Sequence, residues 1–319
     1  MFATIDMGGT TWKLALMQDG EPLVFAELPN TRSPEDLDRL PEVLGSLCRR
    51  AGVASCDGIG VSIAEFVDPV AGTCLPPGDT HSYLENVNLA AILHRLIGKP
   101  VSVDNDARCA LLGELSAGVA QDFKDETVVL VALGTGIGVA ISARGDLHYG
   151  SHSSAGTAFG HVQIDPQGPL CACGRSGCAE ALISGWAISE RLRERQGFGE
   201  SVLAHSDPLD FRRLCEAVRE GDRFAEQALE AFVSDWASML AVLIQVADPA
   251  AMVLGGGFMQ SADIFIEDLK RKTLRKLWRP QNMPVFRVVA EPKLSALRGA
   301  EVLARRAAGL APRPNSAHC

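Results

Sequence analysis

The fold is decided by two similar stretches of sequence, FATIDMGGTTWKLALM at residues 2–17 and TVVLVALGTGIGVAISA at residues 127–143. Each is typical of an apolar strand, a turn of glycine and threonine, a second strand and a glycine-containing hairpin that leads to a third strand. A supersecondary unit that occurs twice in one chain indicates two related lobes rather than one extended sheet. A length of 319 residues is sufficient for both.

In the rest of the chain, the sequence predicts helices and buried strands, with a loop at the Pro- and Gly-rich residues 68–83. The helix that follows Ser33 is marked by an N-cap serine and a proline at its first position. The remaining predicted helices lie at about 88–97, 105–118, 223–246 and 297–307, and the remaining predicted strands at 58–63, 100–103 and 252–254. The tail at 312–319 is expected to be disordered.

Composition excludes several classes of protein. The net charge of -9 argues against nucleic acid as the main partner, because an acidic surface repels a phosphate backbone. No apolar run approaches the roughly 20 residues that span a membrane, and the N-terminus has no signal-peptide pattern. We therefore expect a cytoplasmic protein with no membrane partner, whose scattered cysteines are buried in the reduced form.

Asp6, Gly8, Gly9 and Thr10 form the first glycine turn, and Gly134, Thr135 and Gly136 form the second. Glycines let the backbone approach a polyphosphate closely, the threonine adds a hydroxyl donor, and the Asp6 carboxylate can hold Mg²⁺ directly or through water. A plain hairpin turn explains either segment alone, but two such turns favour phosphate binding. The P-loop pattern is missing and each turn precedes a strand, which excludes the P-loop and dinucleotide-binding classes.

The triple glycine Gly255, Gly256 and Gly257 follows a buried strand and precedes a helical pattern. A nucleotide can lie against bare backbone at such a strand end, although an unliganded strand-to-helix turn has the same sequence pattern.

Asp106 follows Asn105 at the end of another predicted buried strand. A carboxylate there can accept the proton of a substrate hydroxyl that attacks a γ-phosphoryl group. The alternative is that Asp106 only caps the helix that begins there.

His161, Cys171, Cys173 and Cys178 give the sharpest signal in the chain. Three thiolates and one imidazole complete a tetrahedral zinc site, which predicts a structural zinc that stabilises a loop rather than a catalytic zinc with an open position. Unligated buried cysteines are the alternative.

Taken in order, these features resemble the ROK family of repressors, open reading frames and sugar kinases. The family's D-x-G-G-T element is matched at Asp6–Thr10, its N-D pair at Asn105-Asp106, its second phosphate element at Gly134–Gly136, and its zinc signature from Gly160 to Glu180. The resemblance runs from Asp6 to the closing Gly299-Ala300-Glu301 helix.

The resemblance implies an α/β fold of duplicated actin-like ATPase (ribonuclease H-like) lobes with a cleft between them. It implies lobes at 1–114 with about 296–311 and at 115–295, the latter carrying the zinc loop and a homodimer surface. It further implies an ATP-dependent sugar kinase that phosphorylates the C6 hydroxyl of a hexose or hexose derivative, with Asp106 as general base. Asn105, His161 and Glu180 would contact the sugar, and the two phosphate turns with Gly255–Gly257 would hold Mg-ATP.

Three departures from the family pattern fall on the sugar side, and one of them is the family's P-G-P-V-D stretch, which reads Ala64-Glu65-Phe66-Val67-Asp68 here. The family's E-x-G-H glutamate is Ala158 here, so one sugar contact is lost or replaced, and Thr157 is the candidate replacement. The family's P-N-L loop reads approximately Pro77-Gly78-Asp79-Thr80, which places Asp79 near the expected asparagine. Loss of one buried bond can alter sugar discrimination by several powers of ten, so glucose is not carried over as the substrate. Glu65 and Asp79 raise the hypothesis of a cationic amino sugar.

Two other functions compete with the kinase. A repressor of this family carries an N-terminal helix-turn-helix, and only five residues precede Asp6. A catalytically weak or silent sugar-sensing protein is the alternative that Ala158 favours, and the retained Asp106 and phosphate turns argue against it.

Overall fold

A computed structural model describes residues 1–78 and 80–310, so Asp79 and the predicted tail lie outside the described residues. The strands are β1 Phe2–Met7, β2 Thr11–Gln18, β3 Glu21–Pro29, β4 Ile59–Ile63, β5 Phe66–Asp68, β6 Thr73–Leu75, β7 Val101–Asn105, β8 Thr127–Leu133, β9 Ile137–Ala143, β10 Asp146–Leu147, β11 Ala251–Gly255 and β12 Val285–Val288. The α-helices are α1 Leu40–Arg50, α2 Leu89–Ile97, α3 Asp106–Ala117, α4 Ala179–Ile183, α5 Gly185–Arg193, α6 Phe211–Arg219, α7 Arg223–Ala247, α8 Ile266–Lys276 and α9 Ser295–Ala307.

The two glycine turns lie in two sheets of the same strand order. The first sheet runs β3-β2-β1-β4-β7, with β1 antiparallel to β2 and parallel to β4. The second runs β10-β9-β8-β11-β12, so β8 and β9 take the places of β1 and β2. The duplication predicted from the repeated strand and turn pattern is confirmed.

Residues 68–83 are more regular than predicted. Within them β6 pairs antiparallel with β5, which begins just before the stretch, and the buried side chains of Val67 and Cys74 anchor the hairpin. Strands of three residues are too short to show an alternating pattern, so the prediction of a plain loop was wrong there.

Contact clustering divides the chain into two compact units. The first unit contains the described residues of Met1–Val128, of Ala140–Thr157 and from Val289 to residue 310. The second unit contains Val129–Val139 and Ala158–Val288. The lobe boundaries implied by the family resemblance remain a prediction.

In the first unit, helices α9 and α3 pack closely against each other because each has a glycine at the point of contact. A Cβ added at Gly113 would lie 2.0 Å from the carbonyl oxygen of Ser295, and one added at Gly299 would lie 1.7 Å from that of Cys109. The buried Glu114 accepts hydrogen bonds from Ser295 Oγ and from Val119 N. This packing fixes the helix α3, which begins at Asp106.

In the second unit, α7 is the core helix. By length and composition alone it is the one helix of the described chain that could cross a membrane, but 56% of its most apolar window is buried. Trp236 and Phe232 on α7 are fully buried, and Trp236 packs against Phe258 and Phe265 with ring centroids 5.7 and 5.2 Å away. Burial in the protein core therefore accounts for the apolar character of α7.

Candidate active site

The first glycine turn, Asp6–Thr10, is predicted to bind phosphate and is called the first phosphate turn below. Hydrogen bonds to its backbone hold it in place. Gly8 N donates to Asp6 O, and Asn30 Nδ2 donates to the carbonyl oxygens of Gly8 and Gly9 at 3.0 and 3.2 Å. A Cβ added at Gly8 would lie 2.8 Å from Thr11 O, so this position requires glycine. The turn is thus preorganised for a close approach of phosphate oxygens.

Lys13 is a candidate site residue that sequence reasoning missed. It lies opposite Asp6 in the β1–β2 register, and its Nζ is 3.1 Å from Asp6 Oδ2. Ser62 Oγ donates to the other Asp6 oxygen at 3.0 Å. The signal for Lys13 is that it is the one charged residue of β2, the strand directly after the turn. Lys13 places an ammonium beside the turn, where it can attract a phosphate.

Asn105, rather than Asp106, caps helix α3. The Asn105 side-chain oxygen accepts from Ala107 N and Arg108 N at 3.0 and 3.3 Å. Asp106 is the first residue of the helix and is partly exposed, with one oxygen accepting from Ala107 N and from Asn105 Nδ2. The capping role is therefore filled without Asp106, which leaves its second carboxylate oxygen for a substrate proton.

The environment of Asp106 makes its carboxylate a better base. Burial, and then the negative charge of Asp6, raise its pKa to about 6. A carboxylate with this pKa is ionised at neutral pH and accepts a proton more readily than an ordinary aspartate.

We expect kcat/KM to fall as pH decreases through about 6, because protonated Asp106 cannot accept the hydroxyl proton. At about pH 5 the rate constant should be about tenfold below its neutral plateau. Initial rates at low sugar concentration across pH would check this. A flat profile over the same range, with the coupling enzymes in excess, would contradict it.

Thr157 is tied to α3 by a buried arginine that the sequence did not reveal. Arg108 Nη2 donates to Thr157 Oγ1 at 3.1 Å and to Ser153 O at 2.7 Å. Arg108 also faces Asp104 and lies over the ring of Tyr149, 4.8 Å from its centroid. The hydroxyl predicted to replace a family carboxylate is therefore positioned from the turn of α3 that carries Asp106.

Of the two acids behind the amino-sugar hypothesis, the structure describes only Glu65. Glu65 is buried, and its carboxylate accepts a hydrogen bond from the backbone N of His81. Asp79 lies outside the described residues, so its predicted sugar contact stays a prediction.

In the second unit, the second glycine turn, Gly134–Gly136, packs on the start of α5; it is called the second phosphate turn below because it is predicted to bind phosphate. Gly185 N donates to Gly134 O at 2.8 Å, and Trp186 N donates to Thr135 O at 3.2 Å. A Cβ added at Gly185 would lie 2.8 Å from Gly134 O. These bonds hold the carbonyl side of the turn.

The triple glycine lies beside this second turn. Gly256 has φ 86°, and a Cβ there would lie 2.2 Å from Leu133 O, so only glycine fits. A Cβ at Gly134 would meet Gly257 N at 3.8 Å. The structure thus brings together the two glycine segments of the second unit that the sequence assigned to ATP.

The four predicted zinc ligands converge on one point. Their ligand atoms all lie within 4.8 Å of one another, with Cys173 Sγ 3.6 Å from Cys178 Sγ and Cys171 Sγ 3.5 Å from His161 Nδ1. These separations match the edges of a tetrahedron whose zinc–sulfur bonds are about 2.3 Å long. The donor set and its spacing fit zinc, with Nδ1 as the ligand atom of His161 and Nε2 left for another contact.

Glu180 connects the zinc loop to the second phosphate turn. Its Oε2 accepts from Ile137 N at 3.1 Å, and a Cβ at Gly160 would lie 3.0 Å from the same oxygen. Trp186 Nε1, which the sequence did not single out, donates to Oε1 at 3.3 Å. Glu180 is partly exposed and fixed in orientation, as a residue that binds hydroxyls must be.

Replacing Cys178 with serine should remove the metal. We expect zinc content to fall from about one per chain to below about a tenth after dialysis against a mild chelator, because a serine hydroxyl is a poor zinc ligand. The melting temperature should fall with it, since metal binding contributes to folding. Elemental analysis and thermal unfolding would measure both.

Cys215→Ser is the matched control, because Cys215 is equally buried but lies on α6 outside the cluster. Equal zinc content in the two variants would contradict the assigned ligand set.

The chain is similar in sequence to sugar kinases and to related regulators. A glucokinase of Thermotoga maritima is 30% identical over 299 residues, covering 90% of this chain and 91% of its own length. A DNA-binding transcriptional dual regulator of Escherichia coli is 29% identical over 78% of this chain, which spans 60% of the regulator's length.

The chain is also similar to solved structures of ROK sugar kinases. A ROK hexokinase from Thermus thermophilus has a TM-score of 0.80 at 27% identity, covering 96% of this chain and 98% of its own. A ROK family glucokinase from Streptomyces griseus, in complex with glucose and AMPPNP, has a TM-score of 0.78 at 25% identity, covering 96% and 99%.

The fold is that of the actin-like sugar kinases, and the predicted α/β fold class is confirmed. The ROK family model matches residues 2–307. The chain belongs to the ROK family.

Proposed function

We propose that this protein is an ATP-dependent sugar kinase in which Asp106 is the general base. The observation that carries the proposal is the position of Asp106 at the start of α3. One of its carboxylate oxygens accepts no hydrogen bond from the described residues, and its pKa is raised to about 6. A helix cap or a purely structural acid would not need such a pKa, since an ordinary aspartate serves both roles. The sugar kinases among the relatives support the same reaction class.

Asp106 takes the proton of the sugar hydroxyl as the hydroxyl oxygen attacks the γ-phosphorus of ATP. The bond between the γ-phosphorus and the bridging oxygen breaks, ADP leaves, and the proton remains on Asp106 until it passes to solvent. The acceptor is the C6 hydroxyl of a hexose or hexose derivative. We assign Asn105, His161, Glu180 and Thr157 to contacts with the sugar.

In the first unit, Asp6, Gly8, Gly9 and Thr10 bind phosphate oxygens together with Lys13. In the second unit, Gly134, Thr135, Gly136 and Gly255–Gly257 bind ATP through backbone. Both Asp6 oxygens already accept from protein donors, so Asp6 fits a magnesium ion held through water. Magnesium bound with ATP offsets the negative charge of the phosphates.

A catalytically weak or silent sugar sensor is the second candidate. The observation that favours it is Ala158, where the family pattern has a carboxylate. The sensor would bind a sugar without turnover, whereas the kinase would release ADP only when the sugar is present.

The experiment is an ADP-release assay with Mg-ATP against hexoses, N-acetyl sugars and amino sugars. Asp106→Ala is run beside the wild type. ADP release that depends on one sugar and is lost in the variant supports the kinase and names the substrate. Binding of a sugar to folded, zinc-loaded protein without any ADP release overturns the kinase and supports the sensor.

We also propose a structural zinc, a cytoplasmic location and a homodimer, each supported by the family resemblance. Light scattering of the purified protein across concentration measures the assembly. A mass of about one chain at all concentrations would overturn the homodimer.

A further inference from the structure

His81 is fully buried and polar, and it takes no part in the site described so far. Its ring lies edge-on to Tyr83, 5.9 Å between centroids, and 6.5 Å from the ring of Trp12. Thr80, the residue before it, packs on the first phosphate turn, since a Cβ added at Gly9 would lie 3.1 Å from Thr80 Cγ2. A buried imidazole is costly unless its nitrogens are used, so its contacts indicate its role.

The contacts of Asn30 fix the tautomer of His81. Asn30 Oδ1 accepts from Arg32 N at 2.8 Å, which identifies Nδ2 as the amide nitrogen and a donor. Asn30 Nδ2 lies 3.2 Å from His81 Nε2. Nδ2 carries two protons and faces three acceptors, Gly8 O, Gly9 O and His81 Nε2, so one N–H is shared between two of them. An amide nitrogen only donates, and a proton on Nε2 would point at it. The geometry therefore favours Nε2 as an acceptor, with the imidazole proton on Nδ1.

Nδ1 faces the carboxylate of Glu65. It has no hydrogen-bond partner among the described residues, and Glu65 Oε1 is 3.6 Å away. The same carboxylate oxygen accepts from the backbone N of His81. A proton on Nδ1 is therefore attracted to Glu65, whereas a lone pair there would be repelled.

A continuous path of contacts runs through His81. On one side, Asn30 Nδ2 also bonds to Gly8 O and Gly9 O of the first phosphate turn. On the other side, the Glu65 carbonyl oxygen accepts from Asn105 Nδ2 at 3.1 Å. Asn105 Nδ2 also donates to Asp106 Oδ1 at 3.0 Å. Every residue on this path belongs to the first unit.

We propose that His81, with its Nδ1 proton facing Glu65 and its Nε2 facing Asn30, is a positioning residue that couples the first phosphate turn to the base Asp106. The inference rests on the proposed kinase function. His81 contacts neither substrate, so its loss changes the relative placement of the phosphate turn and Asp106 rather than the binding of ATP or sugar. Misplacement of reacting groups by about 1 Å costs on the order of a hundredfold in rate.

The kinetic test compares His81→Phe with His81→Gln. The glutamine oxygen can accept from Asn30 much as Nε2 does, whereas phenylalanine removes the acceptor and keeps the ring. We expect kcat per folded enzyme to fall about a hundredfold in His81→Phe and less than about tenfold in His81→Gln. KM for ATP and for the sugar should change less than about threefold in both, because His81 contacts neither. An unchanged kcat per folded enzyme in His81→Phe would overturn the proposal.

A second measurement is made on the wild type and does not depend on turnover. Nitrogen-15 NMR of histidine-labelled wild type, assigned by the signal lost in His81→Gln, reports which ring nitrogen carries the proton. We expect the proton on Nδ1 and a shift of the Nε2 signal when Mg-ADP is added. A proton on Nε2, or no response to nucleotide in a protein that binds it, overturns the coupling. If the wild type phosphorylates no sugar, the proposed function falls, and this nucleotide response alone decides the inference.

Discussion

Asp106→Asn should lower kcat by about 10²- to 10⁴-fold, the range of contributions made by a positioned general base. Asparagine has nearly the same shape and can still accept from Ala107 N and face Asn105, so the start of α3 should keep its geometry. What is lost is the ability to take the hydroxyl proton. Because substrate contacts remain, KM should change far less than kcat. Steady-state rates with the best sugar of the panel measure both.

The same substitution should raise the melting temperature at neutral pH. The folded-state pKa of Asp106 is raised above its usual value, so its stabilising contribution is present at low pH and is lost as pH rises through about 6. A neutral asparagine removes the penalty for the partly buried charge above that pH. An inactive variant that is also more stable separates a catalytic role from a structural one.

Asp125→Asn is the matched control, because Asp125 is an exposed aspartate in the loop before β8. It should leave both kcat and the melting temperature unchanged. Full activity in Asp106→Asn would contradict the assignment of the base.

Arg108→Met should destabilise folding by about 3–5 kcal/mol, because it leaves a buried carboxylate without its cation. Arg108 and Asp104 are 1% and 0% exposed, with Nη1 and Oδ1 3.4 Å apart. Burial raises the pKa of Asp104, and the Arg108 charge opposes that rise. Without the arginine, Tyr149 OH at 2.9 Å and Asn105 N remain as donors to Asp104, which do not replace a positive charge. Urea unfolding followed by tryptophan fluorescence measures the loss.

The double variant Asp104→Asn with Arg108→Met distinguishes two costs in folding stability. One is the loss of the ion pair, and the other is a buried carboxylate left without its partner. It removes both charges, so it should be more stable than Arg108→Met alone despite carrying one more substitution. A cost for Arg108→Met below about 1 kcal/mol would show that the pair does not need both members.

Most of the elements that carry the candidate site were predictable from sequence because their signals are local. The two glycine turns and their flanking strands lie within 17 consecutive residues each, and the metal ligands lie within His161–Cys178. Asp106 was found because a polar pair directly follows a buried strand. Backbone conformation and short turns over such distances are set by the residues of the segment itself.

Residues 68–83 show where local signals fail. The hairpin of β5 and β6 has strands too short for a periodic pattern, and its outer bonds run from Cys74 N to Val87 O and from Ala90 N to Gly72 O. The proline and glycine content of this segment predicts a loop. In the folded chain, burial of the Val67 and Cys74 side chains stabilises a pair of strands instead. Tertiary packing overrides weak propensity in segments of this length.

The sequence by itself determined the duplicated α/β fold, the candidate base and the set of candidate metal ligands. Only the tertiary structure decided that Lys13 faces Asp6, that Arg108 holds Thr157, and that His81 lies between Asn30 and Glu65. The reason is physical: a buried polar side chain takes the partner that burial leaves within reach. For Arg108 and Thr157 that partner is 49 residues away, and for Asn30 and His81 it is 51. No pattern within one segment encodes which distant group the folded chain will bring there.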